Sequence, residues 1–369
     1  MIISERDANW AADEFIQYFS QMSNIEDYLR FVKKEVIAST SSLVSLDEEF
    51  FNADMHPEDM DFDIKFVGSR FQNAVPQEHY VNLLRAVSSH NNESNIPGRE
   101  LRWMIYEKNT KKVLGFIRFG SPTINSKPRN EWLGKSPDLT IFNRHAAMGF
   151  VIVPSQPFGY NYLGGKLCAA VCVSHEVREI VNKKYGMNMC LFETTSLYGS
   201  TKGVSQYDGM KPYIRYDGLT DSDFIPMMHG KPYEDLRDFV QNIVGDIVDE
   251  DVSSKKLKTT MKIISLVKAA LKNTPEGDTF IATIEKAKGL TEQKRYYHSD
   301  YGFNNMKDYV NCKTDVLIPG ENFEKHKLVN LIEWWRNKAI NRYTTLHNEG
   351  RLRTELEIWT SGKDIQIIR

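Results

Sequence analysis

The stretch MGFVIVPSQPFGYNYLGGKLCAAVCVSHEVREIVNKKYG, residues 148–186, decides the fold. It continues AAMGFVIVP, residues 146–154, a nearly uninterrupted apolar run with the length of a strand buried on both faces. Gly159, Gly164 and Gly165 then break the run, and from 164 to 185 apolar residues recur at helical spacing. Strand, glycine-bearing turn and helix in this order put free N–H groups and the positive end of a helix dipole at the mouth of a sheet. Such a place suits a phosphate or pyrophosphate.

Upstream, apolar spacing predicts one or two helices over 8–40, and an acidic connector leads to a short strand at 62–67. Pro76 opens a helix over 76–90, since proline is tolerated in a first turn. ELRWMIYEK and KVLGFIRFG, joined by KNTK, read as a hairpin. The polar loop SPTINSKPRNEWLGKSP holds three prolines and is long enough to suggest a functional role. Downstream of the long helix come a strand at 188–196, a polar stretch, and a strand at 212–219. This is an α+β pattern, a mixed central sheet flanked by helices with one βα crossover, rather than a repeating wind. Residues 231–369 read as helical. Three regions are expected: an acidic helical one at 1–60, a core at 61–230 and a helical one at 231–369.

Composition is that of a globular protein, with 41% hydrophobic and 26% charged residues in 369. Residues 1–66 hold five Lys/Arg and 15 Asp/Glu, so a local charge of −10 leaves the remainder at +8 within an overall −2. That asymmetry reads either as a solvated acidic face or as an acidic region beside a body that meets a polyanion. Cys168, Cys172, Cys190 and Cys312 show neither CxxC nor zinc spacing, so reduced thiols and no metal are expected. No run approaches the ~18 apolar residues of a membrane span, and the polar start is unlike a signal peptide. The expectation is a cytoplasmic protein with no membrane contact.

In the turn QPFGYNYLGGK, residues 156–166, Gly159 permits a tight bend and Gly164 and Gly165 permit close approach, while Lys166 adds a cation. The spacing is neither a Walker A loop nor GxGxxG. The glycines serve either an anion or simple helix–strand packing. In FETTSLYGSTKGVSQYDGM, Glu193 is a candidate general base and Tyr198 a candidate acid. Thr194, Thr195, Ser196, Gln206 and Tyr207 are candidate substrate contacts, or parts of a self-capping loop. Just before the buried strand, Arg144 can meet a phosphate and His145 can shuttle a proton, although a structural role suits each. His175 reads as a satisfied helix histidine.

The element order over 62–220, with this turn between the fourth strand and the main helix, resembles the GNAT acyltransferase fold. Val151, Val153 and Pro154, then Gln156 and Gly159, match the strand end and Q/R-x-x-G-x-G/A motif that holds the coenzyme A pyrophosphate in that family. Asn161 departs from its Gly/Ala position. The resemblance implies an acyl-CoA or another pyrophosphate-bearing donor on Gln156, Gly159, Gly164, Gly165 and Lys166. A second, more local likeness runs through Asn143–Arg144–His145, GGKL, TTSLYG and SQY. These resemble the Druantia anti-phage protein A family, and also phage Mom-like and amino-acid:DNA transferase-type DNA-modification proteins.

Basic residues interleave with aromatics downstream. Lys294 and Arg295 precede Tyr296 and Tyr297, and Arg336, Arg342, Arg351 and Arg353 accompany Trp334, Trp335 and Tyr343. The pattern fits either a nucleic-acid surface or an amphipathic bundle, for Leu331, Trp335 and Ala339 have core spacing. The leading expectation is a transferase moving an acyl or aminoacyl group onto a DNA base. Beside it stand a conventional acyl-CoA N-acyltransferase and a non-catalytic DNA-binding component of an anti-phage system.

Overall fold

The structure, a computed structural model, describes residues 2–38, 48–68, 73–88, 98–221, 224–248, 255–290 and 293–359; side chains at 35–38, 198, 201 and 202 lie outside the description. Seven strands form one mixed sheet: β1 (Phe62–Phe66), β2 (Glu100–Glu107), β3 (Val113–Gly120), β4 (Ala146–Pro154), β5 (Leu191–Ser196), β6 (Arg215–Leu219) and β7 (Arg295–Ser299). Their order is β1-β2-β3-β4-β5-β7-β6. Only β4 and β5 run parallel, as the helical crossover between them requires. The expected α+β architecture is what forms.

Contacts divide the chain into two compact units, each assembled from distant pieces of the sequence. One gathers the helices Glu5–Ser20, Ile25–Ala38, Gly230–Val244, Lys255–Ala270 and Pro275–Lys288. Within it Phe15 meets Phe280 edge to face at 5.3 Å, and Ile263, Ile264 and Val267 supply the buried stripe of a lysine-rich helix. Those lysines are therefore the solvated side of an amphipathic helix.

The second unit holds the sheet. Strands β2 and β3 are buried almost throughout and β4 nearly so; β4 is a nearly continuous apolar run, whereas β2 and β3 also bury Arg102, Glu107 and Arg118. The Leu328–Asn348 helix buries Leu331, Trp335, Ala339 and Leu346, and Trp335 Nε1 donates to the Tyr162 carbonyl at 3.0 Å.

Three readings need correction. The single helix expected over 164–185 is two, Gly164–Cys172 and His175–Tyr185, because Ser174 starts the second with its hydroxyl accepting from Val177 N–H at 3.3 Å. Residues 231–369 are not helical throughout, since 295–299 forms β7 inside the sheet. Its Tyr-Tyr-His run has the β preference of aromatics, which the charges beside it obscured. The polar stretches 121–137 and 197–211 carry short helices, Lys127–Leu133 and Leu197–Lys202. Cys168, Cys172 and Cys190 are buried, and all four cysteines are free. No helix among the described residues is long and apolar enough to cross a membrane.

Candidate functional site

The turn after β4 is built to satisfy itself. Residues Phe158–Asn161 close into a single helical turn. Gly159 N–H donates to Ser155 O, Asn161 N–H to Pro157 O and Tyr162 N–H to Phe158 O, at 2.8–3.0 Å. The Gln156 side chain accepts from Tyr160 N–H at 2.9 Å instead of facing a ligand. Leu163, with φ +54°, takes the left-handed position that starts the Gly164–Cys172 helix. Gly164 and Gly165 are both buried there. A Cβ on Gly164 would stand 2.5 Å from the Phe158 ring, and one on Gly165 would run into the Gln206 side chain. Packing thus explains both glycines.

Lys166 is engaged too. Its ammonium donates to the carbonyls of Gln206 (3.1 Å) and Asp208. Burial, and after it the charge of Lys338, pushes its pKa down. Asn161, the residue that departs from the Gly/Ala pattern, is 4% exposed and clasps the backbone of Arg353: its Nδ2 donates to Arg353 O at 2.7 Å and its Oδ1 accepts from Arg353 N–H at 3.0 Å. A pyrophosphate needs free N–H groups and an unpaired cation at this point. At Gly159–Tyr162 those N–H groups are bonded within the turn, and the Lys166 ammonium is held by two carbonyls.

Pairing of β4 with β5 runs from Ala146↔Leu191 to Gly149↔Thr194. Beyond it the Gln206 side chain donates to Ile152 O at 2.9 Å, so the loop before β6 occupies the place where the strands part. Thr194 Oγ1 donates to Gly149 O at 3.0 Å and lies 3.4 Å from the Tyr207 hydroxyl. Tyr297 OH donates to Asp208 at 2.9 Å, and Arg295 pairs with the same carboxylate at 3.2 Å. Gly165, Lys166, Thr194, Gln206 and Tyr207 are therefore brought together, as a packed polar seam.

Glu193 points to the opposite face, because consecutive residues of a strand alternate. It is 1% exposed and accepts from Tyr296 OH at 2.6 Å, with Arg129 Nη1 3.5 Å from its second oxygen. Burial raises its pKa, against the pull of the Arg129 charge and the Tyr296 hydrogen bond. Alongside, His298 contacts Asp217 and stacks 3.9 Å from Trp132. Arg129 is fully buried and also donates to Thr123 O and Ile124 O. Chemically this is an enclosed acid–base network. The sequence reading missed Arg129, Asp217 and His298 and named Tyr296 only in the basic–aromatic series, although Arg129 lies in the proline-bearing loop it singled out.

The other candidates lie apart. Thr195 shares the Glu193 face, half-buried, opposite Tyr296. Ser196 caps the Leu197–Lys202 helix, accepting from Gly199 N–H at 3.0 Å. Tyr198 belongs to that helix, and its side chain lies outside the described residues. Arg144 and His145 precede β4, about 30 Å from the turn at its far end by strand rise. His145 Nδ1 lies 3.0 Å from Asn188 O, and the Arg144 side chain is exposed. His175 Nε2 lies 2.8 Å from Phe323 O, while its buried Nδ1 has no hydrogen-bond partner among the described residues. Among the described residues no cluster of His, Cys, Asp and Glu could hold a metal.

The downstream basic–aromatic series divides. Tyr296 and Tyr297 are buried, so neither offers a stacking face. Arg336 donates to Pro57 O and Met60 O, and Tyr343 to Asp54 at 2.6 Å. Arg342 and Arg353 instead gather over the ring of Tyr160, at 4.6 and 3.7 Å.

No curated protein matches this sequence. The family described as Druantia protein DruA does, over residues 20–207. That match takes in β1 to β5, the turn after β4 and the polar seam up to Tyr207. It spans more than half of the chain, which therefore belongs to the Druantia protein DruA family.

Proposed function

We propose that this chain acts in anti-phage defence as a non-catalytic, nucleic-acid-binding component built on a GNAT-like sheet. Membership of the Druantia family suggests the defence role. The strand order, the parallel β4–β5 pair and the turn leading into the Gly164–Cys172 helix support the GNAT resemblance. The observation that carries the reading is the closed turn. Its N–H groups from Gly159 to Tyr162 are bonded internally, Lys166 is held by two carbonyls, and Asn161 is clasped to Arg353. Recognition of nucleic acid then falls to the basic residues that remain outside this network.

Isothermal titration of the full chain with acetyl-CoA, beside fluorescence anisotropy with labelled duplex DNA, tests the reading. DNA binding without acetyl-CoA heat is expected. Micromolar acetyl-CoA binding overturns it. A second reading, a transferase acting on a DNA base, is favoured by the buried Glu193–Tyr296 hydrogen bond and the raised pKa of Glu193. Nucleoside mass spectrometry of DNA from expressing cells separates the two: a new mass supports the transferase.

A further inference from the structure

Two guanidinium groups share one aromatic ring beside the closed turn. Arg353 lies 3.7 Å and Arg342 4.6 Å from the centre of Tyr160, so the two cations stand within the ~10 Å screening length of 0.1 M salt. Lys338 sits one helical turn before Arg342, about 6 Å along the axis, and rests over the Trp334 ring at 5.4 Å. Arg353 has a partner in Glu357 at 3.1 Å, whereas among the described residues no carboxylate pairs with Lys338 or Arg342. All four side chains, Tyr160 included, are partly open to solvent.

Like charges held this closely repel unless an anion lies between them, and the ring beneath compensates only in part. Planar guanidinium forks match the oxygens of a phosphodiester. No large apolar side chain is exposed among these residues, which argues for a nucleic-acid backbone over a membrane surface. We propose that Lys338, Arg342 and Arg353, set around Tyr160, form the surface on which this protein holds the phosphate backbone of DNA. This inference rests on the nucleic-acid reading above and supplies its contact residues.

The test is anisotropy of labelled duplex DNA with the full chain across a salt series. Each phosphate contact contributes about −0.9 to the slope of log K against log salt. Replacing all three residues, K338Q with R342Q and R353Q, should flatten the slope by about 2 to 3. Arg342→Lys, which keeps the charge, should leave the slope as in the wild type. An unaltered slope in the triple variant, with DNA still bound, overturns the surface and leaves the nucleic-acid reading standing. A wild-type chain that binds no DNA at low salt overturns both. Binding to phosphatidylserine vesicles that DNA does not displace overturns it in favour of a membrane.

Discussion

Asn161→Ala removes both hydrogen bonds that tie the Arg353 backbone to the turn, at 2.7 and 3.0 Å. A neutral bond of this kind contributes about 0.5–1.5 kcal/mol net, so the pair contributes about 1–3 kcal/mol. The loss is local, because the segment keeps the Arg353–Tyr160 stack and, further on, the Trp359 N–H bond to Ala86 O at 2.8 Å. At about 1.4 kcal/mol per tenfold, opening at Arg353 becomes roughly 5- to 150-fold more frequent. Hydrogen exchange followed by peptide mass spectrometry reads this directly. The Arg353 amide should exchange faster by that factor while the Trp359 amide, held separately, stays slow. An Arg353 amide as slow in the variant as in the wild type would refute the clasp.

Gly164→Ala sets a methyl 2.5 Å from the buried Phe158 ring and 3.1 Å from Gly159 Cα, so overpacking should cost about 1–3 kcal/mol in urea unfolding. A glycine needed only for anion approach would lose almost nothing. Acid should weaken both units. His326 and His229 are buried, and burial lowers each to about 4 from an ordinary 6.5. A depressed histidine pKa gives stability that is complete above pH 6.5 and disappears as pH falls through 4. Each loses up to about 3 kcal/mol in that window. Urea unfolding at pH 7 and pH 4.5 measures it, and His326→Gln should flatten the profile. Glu193→Ala should destabilise by about 3–5 kcal/mol, since it strands the fully buried Arg129. The pair Glu193→Leu with Arg129→Met should cost less, and equal or greater loss in the double variant would count against a buried ion pair.

Much of the fold was legible because its signals are local. A nearly continuous apolar run marked β4, the KNTK turn joined the hairpin, and the spacing of Leu331, Trp335 and Ala339 marked a buried helix face. The site was less legible because its outcome depends on distant partners. Asn161 reads locally as a misfit in a motif, but its clasp lies 192 residues away. Strand β7 escaped because Lys294 and Arg295 drew attention to charge, while the pairing of Tyr296 and Tyr297 with β5 is long-range. One error needed no partner to avoid. Glu193 and Thr194 are neighbours on a strand, so alternation already forbade them from sharing a site.

The closing of the turn and the making of the cationic surface are one structural event. Arg353 supplies its backbone to Asn161 and its guanidinium to Tyr160, the preceding residue. Arg342, arriving on the Leu328–Asn348 helix, donates to Tyr160 O at 3.2 Å and completes the pair. A glycine at 161, as in the GNAT pattern, would leave the Arg353 backbone without its partner and loosen the second guanidinium. The Asn161 departure therefore has a physical rationale that links both readings. The side chain at the Gly/Ala position of that pattern also fixes the residue that brings the second guanidinium to the proposed surface.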